Sequence, residues 1–161
     1  MRILITGPEC TGKTTISKQL STRLHLPWVP EYARTYLEEQ GPDYDLDTIL
    51  MIAREHRKLL ATQSGSCILD TYMINLAVWT QDKFAVVPPF IEECISDMLF
   101  DHIFLMYPDT PWIQDGLRED PNSRIALFEE FKVMLEKYNR SYHVISGLGE
   151  QRLENMLEHL V

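Results

Sequence analysis

MRILITGPECTGKTT, residues 1–15, decides how the rest of the chain is read. Within it Gly7-Pro8-Glu9-Cys10-Thr11-Gly12-Lys13-Thr14 fits G-x-x-x-x-G-K-[ST]. The apolar run Ile3-Leu4-Ile5 precedes it, and a helical pattern with Ile16, Leu20 and Leu24 on one face follows. Strand, glycine-rich loop and helix in that order form the context this phosphate-binding loop requires. Backbone N–H groups from Gly7 through Thr15 would curl into an anion nest at a helix N-terminus. Gly7 and Gly12 let the backbone close on phosphate oxygens without a Cβ in the way. In this arrangement Lys13 reaches the β- and γ-phosphates and the Thr14 hydroxyl binds Mg²⁺. The motif announces a nucleoside triphosphate but not what is done with it.

Working outward, apolar runs alternate with helical patterns. Leu26–Pro30 reads as a short extended stretch, because its two prolines disfavour helix. A helix starts at Glu31, and after the Gly41-Pro42-Asp43 loop a long helix carries Ile49, Ile52, Ala53, His56, Leu59 and Leu60, with Asp47 as the expected cap. Cys67-Ile68-Leu69-Asp70 reads as a buried parallel strand. Helices are expected over 72–82 and from Pro88-Pro89 to about Leu99, then a strand over 102–107. A long amphipathic helix shows Phe128, Phe131, Leu135 and Tyr138 at helical spacing. A last strand, Tyr142–Ile145, leads through Gly147-Leu148-Gly149 into a last helix. The expected fold is α/β: a single P-loop NTPase domain over 1–161, with a five-stranded, mostly parallel sheet flanked by helices. Ligands in such sheets sit beyond the carboxyl ends of the strands, so Gly7, Glu31, Asp70, Pro108 and Gly147 should line one rim.

Composition narrows the ligand. The 161 residues are 45% hydrophobic, enough for one core, and carry 15 basic against 24 acidic side chains. A net charge of -9 without basic runs argues against a nucleic-acid partner. A local nest still binds a small anion. Cys10, Cys67 and Cys94 are odd in number and lack C-x-x-C spacing, which points to reduced thiols and a cytoplasmic location. No apolar run is long enough to span a membrane.

Five sets of rim residues carry candidate chemistry. Asp70 ends an apolar strand, as a Mg²⁺-holding carboxylate does; an Asp that only caps the next helix beside Thr71 fits the same pattern. Glu31 and Arg34 lie one helical turn apart, where a carboxylate can orient and deprotonate an acceptor hydroxyl; a surface ion pair has the same spacing. Arg118 and Arg124 sit in a polar, turn-rich segment, about 108–124, that can act as a lid over the triphosphate. Solvated loop arginines are the alternative. Trp28, Tyr32, Tyr36 and Tyr44 gather round the second strand and can stack a heteroaromatic ring, a cationic one above all. Arg152, near the last glycine turn, is expected against adenine or in solvent.

Together these segments resemble the ribosylnicotinamide kinase family, the NadR-like P-loop kinases. The resemblance rests on residues 7–14, on Pro30-Glu31-Tyr32-Ala33-Arg34, on Leu69-Asp70-Thr71 and on Pro111-Trp112-Ile113-Gln114-Asp115-Gly116-Leu117-Arg118. It implies transfer from ATP to the 5′-hydroxyl of nicotinamide riboside, with Lys13 and Thr14 in the phosphate and Mg²⁺ roles. Glu31 then falls near the acceptor, Asp70 near the metal and Arg118 in the lid, with Trp28, Arg34 and Tyr36 as candidate substrate contacts. Cys10 stands where the family usually has Ser; backbone N–H groups do most of the binding there, so ATP binding is expected to survive. Better-known members are fused to an adenylyltransferase domain, so this chain is not expected to complete NAD by itself. The alternatives are a kinase of another nucleoside or small alcohol, or a regulatory ATPase with no acceptor.

Overall fold

A computed structural model describes residues 1–114 and 122–160. Five strands form one sheet: β1 (Arg2–Thr6), β2 (Trp28–Val29), β3 (Cys67–Asp70), β4 (His102–Met106) and β5 (His143–Ile145). Their order is β2-β3-β1-β4-β5, and every strand pairing is parallel. Seven helices are described: α1 (Lys13–Leu24), α2 (Tyr32–Gln40), α3 (Leu46–Ala61), α4 (Met73–Phe84), α5 (Pro89–Asp97), α6 (Arg124–Lys137) and α7 (Glu150–Leu157). The chain therefore has the P-loop NTPase fold that the sequence implies.

The central strands are apolar on both faces because helices cover both. Side chains alternate along β1: Leu4 belongs to one core, while Ile3 and Ile5 belong to the other. The larger core takes in α3, α4, α5 and α6 through Ile49, Ile52, Met73, Ile74, Ile91, Phe128 and Phe131. The smaller core packs α1 and α7 through Ile16, Leu20 and Met156. Two sequence expectations shift at this level. Asp45, not Asp47, caps α3: its carboxylate accepts from the Thr48 N–H at 2.8 Å and the Thr48 hydroxyl at 2.7 Å. A cap reaches the N–H three residues on, which leaves Asp47 in the first turn. Trp28 points away from the larger core, where its neighbour Val29 lies. Its indole donates to the Ser17 hydroxyl at 2.8 Å, and the Lys18 ammonium sits 4.6 Å from the ring centre.

His56 interrupts the apolar face of α3. It is 1% exposed, and its ring meets Tyr72 edge-on at 5.1 Å and lies 6.4 Å from Tyr32. Both phenols are pushed above their ordinary range, chiefly by burial, so they stay neutral around it. Burial pushes the His56 imidazole from 6.5 down to about 4. The unfolded chain then binds a proton that the folded one refuses. The stability tied to neutral His56 is fully present above pH 6.5 and is lost as pH falls to about 4. We expect wild type to lose about 3 kcal/mol more than His56→Phe between those limits, from a shift worth 1.36 kcal/mol per pH unit. Urea unfolding of both proteins across that range checks it, and parallel pH profiles would refute it.

Candidate active site

The turn from β1 to α1 is shaped for an anion. Gly7 has φ 135°, and a Cβ there would stand 3.0 Å from the Met106 carbonyl oxygen. Gly12, at φ 76°, is the N-cap of α1, with no side chain satisfying the first-turn N–H groups and no acidic residue in that turn. Such an N-terminus presents free donors and the positive end of the helix dipole to a phosphate. A concavity over it is lined by Glu9, Cys10, Thr11, Gly12, Lys13, Thr14, Thr15, Glu31 and Arg34. The Lys13 ammonium folds back to donate to the Pro8 carbonyl at 2.7 Å.

Asp70 lies beside this nest because β3 pairs directly with β1, with Ile5 opposite Asp70. Its Oδ2 accepts from the Thr14 hydroxyl at 2.5 Å, while its buried Oδ1 has no hydrogen-bond partner among the described residues. Burial raises the Asp70 carboxyl above its usual range, against the Thr14 hydrogen bond and the Lys13 charge. A hydroxyl and an orphaned carboxylate oxygen side by side are the hard oxygen donors that Mg²⁺ takes, so these residues fit that ion. Thr71, next along, holds φ 66°, a left-handed conformation uncommon for a branched residue, and its N–H donates to the Ile5 carbonyl at 2.9 Å. That strained turn ends β3 and lets α4 begin at Met73.

Glu31 follows β2, one strand further out, and pairs with Arg34 at 3.7 Å. Burial is the largest influence on its carboxyl and raises it; Lys13 and Arg34 oppose, Asp70 and Glu9 add. Glu31 borders both the phosphate nest and a second cavity of about 200 Å³. Ala33, Leu37, Tyr44, His56, Leu76, Trp79, Leu127 and Phe131 give that cavity its mainly apolar walls, with Asp82 and Lys83 also lining it. Tyr44 and Trp79 meet edge to face at 4.5 Å, and Asp82 pairs with Lys83 at 3.2 Å. Asn75 also lines the cavity and is fixed there: its Oδ1 accepts from the Thr6 hydroxyl at 2.6 Å, and its Nδ2 donates to the Gly7 carbonyl at 3.3 Å.

A family model described as an AAA domain, AAA_28, matches residues 2–152. The chain belongs to that family. The curated relatives include the trifunctional NAD biosynthesis/regulator proteins NadR of Salmonella typhimurium (25% identity over 124 residues) and Escherichia coli (26% over 129). Each alignment covers 72% of this chain but 30% of the relative, so the chain spans under a third of their length. Among solved structures, a NadR protein in complex with NR superposes with a TM-score of 0.83 at 23% identity, over 99% of this chain and 50% of that one. A thymidylate kinase from Ehrlichia chaffeensis gives 0.74 at 16% identity, over 100% and 98% of the two chains. A deoxyadenosine kinase from M. mycoides gives 0.61 at 16%, over 99% and 98%. At these identities the solved structures establish the P-loop kinase fold.

The sequence-derived candidates divide on this framework. Gly7 to Thr15, Glu31, Arg34 and Asp70 come together at one rim. Arg124 joins them from the start of α6: its guanidinium donates to the Thr110 carbonyl at 2.7 Å and the Cys10 carbonyl at 3.3 Å, and lies 5.8 Å from the Trp112 ring centre. Arg118 lies outside the described residues. Trp28 is on the α1 side of the sheet, away from the apolar cavity. Tyr36 misses it as well, because Ala33, Arg34 and Leu37 present one face of α2 and Tyr36 lies roughly 100° round the helix. Trp79, Asn75, Asp82, Leu127 and Phe131 line the cavity and were not singled out from the sequence. Their helices read only as apolar stripes, and a stripe does not say whether it meets side chains or a cavity.

Arg152 is corrected most sharply. It is 3% exposed, so it is neither in solvent nor open to adenine. Its Nε donates to the Gly147 carbonyl at 2.7 Å and its Nη2 to the Tyr107 carbonyl at 3.0 Å; further contacts go to the Thr11 carbonyl and the Asp109 carboxylate. Asp109 in turn accepts from the Gly147 N–H at 2.7 Å. One guanidinium thus ties the phosphate loop to the loops after β4 and β5. We expect Arg152→Ala to lower unfolding free energy by about 3 kcal/mol, since it leaves buried acceptors and Asp109 without their partner. Arg152→Lys should recover only part of this, because an ammonium lacks the planar fork. Denaturant titration measures both, and a loss near zero for the Ala variant would show that these contacts contribute nothing.

Proposed function

We propose that the chain is an ATP-dependent kinase that phosphorylates the 5′-hydroxyl of nicotinamide riboside, giving nicotinamide mononucleotide and ADP. One observation carries the reading: Glu9, Lys13, Glu31 and Arg34 line both the phosphate nest and the apolar cavity. A triphosphate in the nest and a nucleoside ring in the cavity would meet at that junction. The aromatic pair of Tyr44 and Trp79 suits a planar cationic ring. The NadR relatives named for NAD biosynthesis favour the same acceptor.

In this reading the acceptor oxygen forms a bond to the γ-phosphorus as the bridge to the β-phosphate breaks, and the hydroxyl proton passes to Glu31. A carboxyl raised by burial is suited to receive that proton. Lys13 leaves the Pro8 carbonyl for the phosphates and stabilises charge on the transferring group. Arg34 holds the Glu31 carboxylate in place. Thr14 and Asp70 would hold Mg²⁺, which when bound neutralises charge on the β- and γ-phosphate oxygens. Because transfer passes through a loose transition state, positioning matters more than complete deprotonation.

ADP formation with nicotinamide riboside, adenosine, uridine, thymidine, cytidine or no acceptor tests the assignment. Nicotinamide riboside should give the highest kcat/KM. A common nucleoside in first place would favour a different nucleoside kinase, and ADP release without any acceptor would favour a regulatory ATPase. The two carboxylates should separate cleanly. We expect Glu31→Gln to lower kcat roughly 10²–10⁴-fold with ATP·Mg²⁺ affinity nearly unchanged. Asp70→Asn should instead raise the Mg²⁺ concentration needed for half-maximal rate. Separate Mg²⁺ and acceptor titrations decide it, and the opposite pattern would exchange the two roles.

A further inference from the structure

His56 is a buried nitrogen base in a wall that helical spacing reserves for apolar residues. The buried face of α3 runs Ile49, Ile52, Ala53, His56 and Leu60. Its Nε2 is buried with no hydrogen-bond partner among the described residues. Tyr32 from α2 and Tyr72 from the turn before α4 approach as rings, at 6.4 and 5.1 Å between centroids. A leucine or phenylalanine would fill this place without stranding a polar atom, and buried polar groups left unpaired are rare. The same residue lines the apolar cavity with Ala33, Leu76 and Trp79. His56 is thus a cavity-wall residue with an unmet hydrogen bond, which a ligand, or a water held by a ligand, can complete once the ring turns toward the cavity.

We propose that His56 is a specificity-determining residue, which anchors the acceptor's ring by a hydrogen bond to a polar ring substituent such as a carboxamide, made directly or through one trapped water. This rests on the nucleoside-kinase reading of the cavity and deepens it. Because burial keeps the imidazole neutral, it brings no positive charge against a cationic ring. It stands among the apolar wall residues rather than in the phosphate nest. It therefore acts on which acceptor is held rather than on phosphoryl transfer. A site built to pair a polar substituent rejects an analogue lacking it, because the protein group is then left unpaired.

The test uses the full chain and nicotinamide riboside as the probe. The nitrogen resonances of the imidazoles are followed in histidine-labelled protein as the riboside is added without ATP. The His56 signal should move at saturation while those of His25, His102, His143 and His159, none of which lines the cavity, stay in place. In steady state, His56→Phe should raise KM for nicotinamide riboside about 10-fold or more, with a much smaller change in kcat. His56→Gln, which keeps a hydrogen-bonding nitrogen at similar reach, should restore much of the loss. An unmoved His56 signal at saturation, or an unchanged KM in His56→Phe, overturns the proposal. Should His56→Phe fail to fold, the wild-type resonances and His56→Gln decide alone. If wild type neither binds nor phosphorylates any nucleoside, the kinase reading itself has failed and the anchor falls with it; an active wild type with an indifferent His56 defeats the anchor only.

Discussion

Everything at the rim depends on the parallel pairing of β1 with β3. That ladder sets Ile5 opposite Asp70, and the Thr71 N–H closes it on the Ile5 carbonyl at 2.9 Å. Asp70 therefore ends its strand alongside the phosphate loop, within 2.5 Å of the Thr14 hydroxyl at the start of α1. Parallel strands need long crossovers, and the stretch between β1 and β3 supplies α1, β2, α2 and α3, whose last two helices border the apolar cavity. α2 brings Glu31 and Arg34 to the rim, and α3 brings His56 to the cavity wall.

Charge is distributed with the same economy. The net charge is -9, yet the phosphate nest needs little positive side-chain charge, because oriented N–H groups at the start of α1 supply the field. Lys13 and Arg34 line the nest, and Arg124 reaches the Cys10 carbonyl. Arg152 serves another purpose: its charge is spent on backbone carbonyls and Asp109, so it fixes the loop from beneath. Burial raises both Glu31 and Asp70. Two carboxyls lifted at one rim, near a lysine, form an arrangement able to exchange protons and to hold a cation.

The cavity beside them gives the fold its chemical identity. P-loop kinases share the nest, so the nest cannot select an acceptor. In the proposed reading, selection falls to side chains from α2, α3, α4 and α6 that meet behind Glu31. Their apolar walls, the Tyr44–Trp79 pair and the buried His56 ring are the features that border the cavity.

The order of elements and the phosphate site were legible in the sequence because they rest on local rules. Gly7 and Gly12 report backbone conformation and close approach, Ile3-Leu4-Ile5 and Cys67-Ile68-Leu69 report strands buried on both faces, and the 3–4 spacing around Phe128 reports a helix. Asp70 was legible too, since the place where an apolar strand ends follows from the run itself. The tertiary structure alone decided which aromatic residues reach the cavity. Trp28 and Tyr36 lie near Glu31 in sequence, but strand alternation turns Trp28 onto α1 and helical rotation turns Tyr36 aside, while Trp79 arrives from another helix. It also decided the environment of Arg152 and His56. Whether a polar side chain at a helix face meets water, a carbonyl or a cavity depends on what packs against that face, and no local pattern of residues carries that information.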